Sequence, residues 1–190
     1  MRVANVPNAI TAARIVLAPV FLWLYVTEHT GWALAAFAAA AATDALDGLA
    51  ARLLHQQTAL GALLDAGADK LLTACALVAL AWRGQLPWWM PALVLGRDAL
   101  LSTGAAFLAA TKHPMEIAPT RLGKYATALL AATIALALLA GFGGVERSRA
   151  APWIAAPGLL ASLLVVVSTV QYAYYFARGL KAERSDSAGG

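Results

Sequence analysis

The chain has 190 residues, 61% of them hydrophobic and only 13% charged, with a formal charge of +4. A single soluble domain would be ordinary at this length, but a soluble surface needs about a quarter of the residues charged, so the composition excludes it. Lysines and arginines are spread between apolar runs rather than gathered on a stripe, which argues against nucleic acid as a partner. The lone cysteine, Cys75, excludes an internal disulfide and a cysteine-based metal centre.

Hydropathy predicts six membrane-spanning helices, near 8–27, 32–54, 61–82, 87–110, 121–141 and 152–177. Each is about the 20 residues needed to cross roughly 30 Å of hydrocarbon. Helices are expected because lipid offers backbone groups no hydrogen-bond partner, and no alternating pattern of about ten residues suggests a barrel. The stretch Met1–Asn8 lacks the blocks of a cleavable signal peptide, so the first span is expected to be retained. Glycine, proline and charge mark connections at residues 27–31, 83–87 and 141–152, all on one side of the membrane. Residues 55–58 and 111–120 and both termini fall on the other.

Basic residues test that topology. Arg83, Arg147 and Arg149 lie on the first side, whereas Arg2, Arg14, Arg52, Lys70, Lys112, Arg121, Lys124, Arg178, Lys181 and Arg184 lie on or near the second. The positive-inside rule places the second side in the cytoplasm, and Trp82, Trp88, Trp89 and Trp153 cluster at the opposite boundary. The expected architecture is an all-α integral membrane domain over 1–178, followed by a disordered cytoplasmic tail over 179–190.

Four aspartates, Asp44, Asp47, Asp65 and Asp69, fall in or at the ends of spans two and three, where a carboxylate is costly unless paired or metal-bound. The pairs are spaced three and four residues apart, so each occupies one helix face. A short antiparallel turn would bring them to the same depth. Carboxylates converging in a low-dielectric cleft need counter-charge, and hard oxygen-ligated cations such as Mg²⁺ or Mn²⁺ supply it. Without histidine or cysteine in the set, zinc and copper are disfavoured. A plainer reading pairs these aspartates with Arg52, Lys70 and Arg14 as structural ion pairs at the membrane edge.

From Asp44 the chain reads D-x2-D-G-x2-A-R-x8-G-x3-D-x3-D, through Asp47, Gly48, Ala51, Arg52, Gly61, Asp65 and Asp69. This resembles the CDP-alcohol phosphatidyltransferase signature at all eight of its fixed positions. The segment Pro7–Arg14, Gly96-Arg97-Asp98, and Gly123-Lys124 with Thr127 are similar to further elements of that family. The resemblance implies a six-helix membrane fold, usually homodimeric, whose cytoplasm-facing cavity binds a CDP-lipid and two divalent cations, Mg²⁺ or Mn²⁺. It implies that Asp44, Asp47, Asp65 and Asp69 hold the metals on the donor pyrophosphate, with Asp69 also the general base for the acceptor hydroxyl. Gly48, Ala51, Arg52 and Gly61, with Asn8 and Thr11, are the implied CDP-lipid contacts; Arg52 offers a planar fork to phosphate oxygens.

Arg97, inside the fourth span, is either one half of a structural pair with another helix or a contact for an anionic acceptor. Arg121 and Lys124, three apart at the start of span five, either anchor the helix at lipid headgroups or bind an acceptor phosphate. The string around Asp65 resembles the glycerol-type branch, which comprises phosphatidylglycerophosphate synthases and CMP-forming cardiolipin synthases. Ala66 stands where that branch commonly has proline. Arg97-Asp98 is more similar to the cardiolipin synthases, so both glycerol 3-phosphate and phosphatidylglycerol remain as acceptors of a phosphatidyl group from CDP-diacylglycerol. The alternative from another class is a transporter or channel using intramembrane carboxylates.

Overall fold

The computed structural model describes residues 6–54, 59–111 and 121–188, and for residues 6–10, 44–54, 59–60, 62–63, 109, 111, 121, 147, 177 and 179–188 it describes the backbone alone. Among these residues every regular element is a helix: α1 (Val6–Val26), α2 (Thr30–Leu54), α3 (Ala59–Trp82), α4 (Trp89–Thr111), α5 (Arg121–Phe142) and α6 (Arg147–Ala188). Each is long enough to span a bilayer. The expected spans agree with the first five to within a few residues. The sixth differs: α6 begins at Arg147 and runs on to Ala188, over residues for which composition predicts a disordered tail. Lys181-Ala182-Glu183-Arg184 are all good helix formers, which suits that continuation.

The exterior is as apolar as the core. Val16, Trp23, Trp32, Leu139, Leu163 and Val170 are exposed, while Thr11, Arg14, Thr133, Ser162 and Ser168 are buried. An apolar exterior of this extent is expected when lipid is the solvent. By length and apolar composition alone, Leu122–Phe142 and Ser148–Phe176 qualify as membrane crossings, with shorter apolar stretches at Thr11–Val26 and Thr30–Thr43. The buried hydroxyls bond back to their own helices: Thr133 donates to the Leu129 carbonyl at 2.7 Å and Ser162 to that of Gly158 at 2.8 Å. In an apolar surround such a bond removes the cost of an unmet polar group.

The chain divides into two compact units, one of Met1–Pro91 with Ile134–Pro152, the other of Ala92–Thr133 with Trp153–Gly190. In the first, α1 packs against both α2 and α3. Its inward face is the stripe Thr11, Arg14, Ala18, Phe21 and Tyr25, at alternating spacings of three and four, all at most 2% exposed. Facing residues are small, with Ala33, Ala40, Ala68, Ala76 and Ala79 all fully buried, so the helices approach closely.

The three connections expected on one side do come together in this unit. The turns after α1, α3 and α5 each place one residue at positive φ, Glu28 at 69°, Gly84 at 67° and Gly144 at 63°. Each is followed by an amide that reaches back five residues: His29 to Leu24, Gln85 to Leu80 and Val145 to Ala140. This cap satisfies helix-end carbonyls and favours glycine; Glu28 adopts it with a side chain. Around the turns, the Tyr25 hydroxyl donates to Gln85 Oε1 at 2.7 Å, the Arg83 guanidinium stacks 5.1 Å above the Tyr25 ring, and Arg83 Nη1 donates to Thr30 Oγ1 at 3.1 Å. Gly141 leaves the room this needs, since a Cβ there would lie 3.0 Å from the Tyr25 hydroxyl and 3.1 Å from Gln85 Nε2. Trp82, Trp88 and Trp89 at this end are exposed, as interfacial aromatics should be.

Candidate active site

The acidic site begins on α3. Buried residues there, Ala68, Leu72, Cys75, Ala76 and Ala79, form the stripe that faces the unit's interior. Asp65 continues it one turn toward the helix start, so a carboxylate stands where the apolar pattern calls for a core residue. Its answer is on α1. Arg14, with no exposed side-chain surface, donates from Nη1 to Asp65 Oδ1 at 2.7 Å, while the Asp65 side chain remains 48% exposed. A guanidinium so enclosed is tolerable only when paired, and removing one partner from such a pair typically costs about 3–5 kcal/mol, toward the low end where one partner keeps water contact.

Asp69 lies four residues on, on the same side of α3, and is exposed. Gly61 is half-buried a turn before Asp65, and Thr11 is buried one turn before Arg14 on α1. Asp44, Asp47, Gly48, Ala51 and Arg52 lie on helical backbone of α2, and Asn8 on that of α1, but their side chains are outside the described residues. The described residues contain no group of three acidic, histidine or cysteine side chains gathered as for a metal ion. Of the four aspartates, the structure therefore displays the α3 pair, with Arg14 against its first member. Of the structural ion pairs considered for these aspartates, the one joining Arg14 to Asp65 is seen among the described residues.

The second unit carries Arg97. Its Nη1 donates to Asp98 Oδ1 at 3.0 Å, so its carboxylate partner is the next residue of its own helix rather than a residue of another. Both side chains are largely buried, at 16% and 19% exposure, and Arg97 Nε has no hydrogen-bond partner among the described residues. Arg97 forms part of the wall of a cavity of about 350 Å³ between α4 and α6, with Ala92, Leu93, Gly96, Leu100, Val166, Thr169 and Val170. Leu100 also lines a second cavity of about 480 Å³, walled by Leu101, Gly104, Phe107, Tyr172 and Phe176 among others. The Phe107 and Phe176 rings sit 6.4 Å apart at its far end. From Ala92 to Phe107 the two cavities follow α4 for about 22 Å. Lys124 is exposed near the start of α5; the Arg121 side chain is outside the described residues.

The profile for CDP-alcohol phosphatidyltransferase matches residues 4–173, nearly the whole chain. The chain belongs to the CDP-alcohol phosphatidyltransferase family. It is similar to a CMP-forming cardiolipin synthase of Streptomyces coelicolor, 37% identical over 79% of this chain and 72% of that protein. It also matches a CDP-diacylglycerol–glycerol-3-phosphate 3-phosphatidyltransferase of Pseudomonas fluorescens, 42% identical over 63% of this chain and 60% of the relative. A probable phosphatidylglycerophosphate synthase of Mycobacterium tuberculosis is 42% identical over 51% of this chain and 49% of its own length. The matched stretch thus spans less than two thirds of the latter two relatives.

Membership carries the six-helix membrane fold and the enzyme class, a phosphatidyltransferase of phospholipid synthesis, and sets aside the transporter alternative. Enzymes of this family use divalent cations. The donor chemistry of the described residues fits such an ion: Asp65 offers a hard oxygen, and with Oδ1 bonded to Arg14 a carboxylate keeps lone pairs enough on Oδ2 for a cation. Arg14 is the residue that sequence reasoning left undecided. Its signal was the three-four stripe of α1, which places position 14 on the buried face between Thr11 and Ala18.

Proposed function

We propose that this chain transfers the phosphatidyl group of CDP-diacylglycerol to the free hydroxyl of phosphatidylglycerol, releasing CMP. Support for a lipid acceptor comes from one observation above all: Arg97, whose Nε has no partner among the described residues, stands in the wall of an apolar groove between α4 and α6. The two cavities share Leu100 and line α4 with mostly apolar side chains for about 22 Å, with Arg97 standing among them. A small hydrophilic acceptor would leave that apolar length unused. A second reading, glycerol 3-phosphate, is favoured by the likeness to the Pseudomonas enzyme and by the basic pair Arg121 and Lys124 opening α5.

In this reading Asp44, Asp47, Asp65 and Asp69 would hold two Mg²⁺ or Mn²⁺ ions, whose positive charge would stabilise a pyrophosphate and a departing CMP. Asp69, the more exposed of the α3 pair, also takes the proton of the acceptor hydroxyl. That oxygen forms a bond to the diacylglycerol-linked phosphorus as the bond to the bridging oxygen breaks, and CMP leaves with the electron pair. Gly48, Ala51, Gly61, Asn8 and Thr11 would shape the donor side, with Arg52 on a phosphate. Arg97, aided by Arg121 and Lys124, would hold the acceptor phosphate. The catalytic domain is residues 1–178, homodimeric as the resemblance implies, with 179–190 an appended tail. The excess of arginine and lysine on the side opposite the three capped turns supports a cytoplasm-facing site in the cytoplasmic membrane.

The deciding experiment gives purified protein CDP-diacylglycerol with either phosphatidylglycerol or glycerol 3-phosphate, and identifies the lipid formed. Cardiolipin with CMP release is the expected result. Phosphatidylglycerophosphate as the sole product selects the second reading.

A further inference from the structure

The Arg14–Asp65 bond joins a fully enclosed guanidinium on α1 to a half-exposed carboxylate on α3, 51 residues away in sequence. Resting on the metal-site reading above, we propose that Arg14 is a positioning residue for the metal site: it fixes the Asp65 carboxylate so that Oδ2 is presented to the cation.

Arg14 lies in the buried stripe of α1 between Thr11 and Ala18, in the helix that packs against both α2 and α3. Its own position is therefore set by the core, and it can act as a rigid post. Asp65 has two rotatable side-chain bonds and, with nearly half its side chain exposed, would otherwise sample several orientations. A charge-assisted bond of 2.7 Å on Oδ1 selects one of them. Partners that hold a metal-binding carboxylate in this way commonly contribute 10- to 100-fold to metal affinity or activity. The opposing effect is electrostatic, because a guanidinium near the site repels a divalent cation. Were Arg14 only a counter-charge, its removal would tighten metal binding; as a positioning residue, its removal loosens it. The sign of the change separates the two.

The test is Mn²⁺ binding to detergent-purified protein, read from the signal of free Mn²⁺ in electron paramagnetic resonance, with melting temperature and elution profile recorded for each variant. Arg14→Met is expected to weaken Mn²⁺ binding about 10- to 100-fold, and the Mg²⁺ concentration for half-maximal CMP release should rise by a similar factor. Arg14→Lys keeps the charge without the planar fork and is expected to fall between wild type and Arg14→Met. Unchanged or tighter Mn²⁺ binding by folded Arg14→Met overturns the proposal, leaving a structural ion pair. If Arg14→Met does not fold, Arg14→Lys decides: weaker Mn²⁺ binding at a wild-type melting temperature supports the proposal, and unchanged binding overturns it. Asp65→Asn separates the two levels of the argument. If it binds Mn²⁺ as wild type does, the metal reading fails and takes this proposal with it; if it loses binding while Arg14→Met keeps it, only the role of Arg14 fails.

Discussion

Arg14 and Arg97 are both buried arginines bonded to an aspartate, and they differ in where that aspartate comes from. Arg14 reaches Asp65 on another helix and is wholly enclosed; Arg97 bonds the adjacent Asp98, and its Nε, in a cavity wall, has no partner among the described residues. The first pair ties two elements of the fold together. Among the described residues the second stays within its own helix turn, so its cost of burial is left partly unmet until an anion arrives. Burial of a charge is thus a poor guide to its role, whereas the origin of its partner is a good one.

The contrast breaks most readily at the acidic end. Asp69→Asn should lower CMP release by about 10²- to 10⁴-fold, the range for loss of a general base; full turnover in that variant would remove Asp69 from the chemistry. Chelation by EDTA should abolish turnover, with recovery on adding Mg²⁺ or Mn²⁺. At the groove, Arg97→Gln should reduce kcat/KM for phosphatidylglycerol about 10- to 100-fold, corresponding to one charge-assisted hydrogen bond, chiefly through KM. If the loss falls on CDP-diacylglycerol instead, Arg97 serves the donor. Gly96 and Gly104 line the two cavities and have open space where a Cβ would stand. Gly104→Leu should therefore fill the groove and impair the lipid acceptor several-fold, roughly the effect of a few contested methylene contacts.

The smallest effects are expected at the capped turns, far from the aspartates along α1. Arg14 and Tyr25 belong to one buried stripe, about 16 Å apart along the axis. Gly141→Val would press on the Tyr25 hydroxyl and Gln85, costing about 1–3 kcal/mol of stability by overpacking. Tyr25→Phe forfeits one hydrogen bond, about 1 kcal/mol. Both should lower the melting temperature and leave the Mg²⁺ dependence of CMP release unchanged. A shift in that dependence would mean that the two ends of α1 are coupled.

Much of the fold was legible because the hydrocarbon thickness imposes a length on every crossing, so apolar runs and their glycine, proline and charge boundaries located α1 to α5 within a few residues. The last helix extends past its expected apolar span at both ends. Its start, Arg147-Ser148-Arg149, is polar, and hydropathy registers apolar residues, not helical backbone. The four aspartates were legible for the same reason in reverse, since a carboxylate in an apolar span stands out by its cost.

Sequence by itself determined which residues had to be explained: the acidic spacing along α2 and α3, the buried periodicity of α1, and a charged pair inside α4. Tertiary structure alone decided their partners. That Arg14 meets Asp65, and Arg97 meets its own neighbour, depends on how α1 is rotated against α3 and which rotamers the packing admits. Such contacts join residues far apart in the chain, or select among side-chain directions that spacing leaves equal, and no local pattern encodes either.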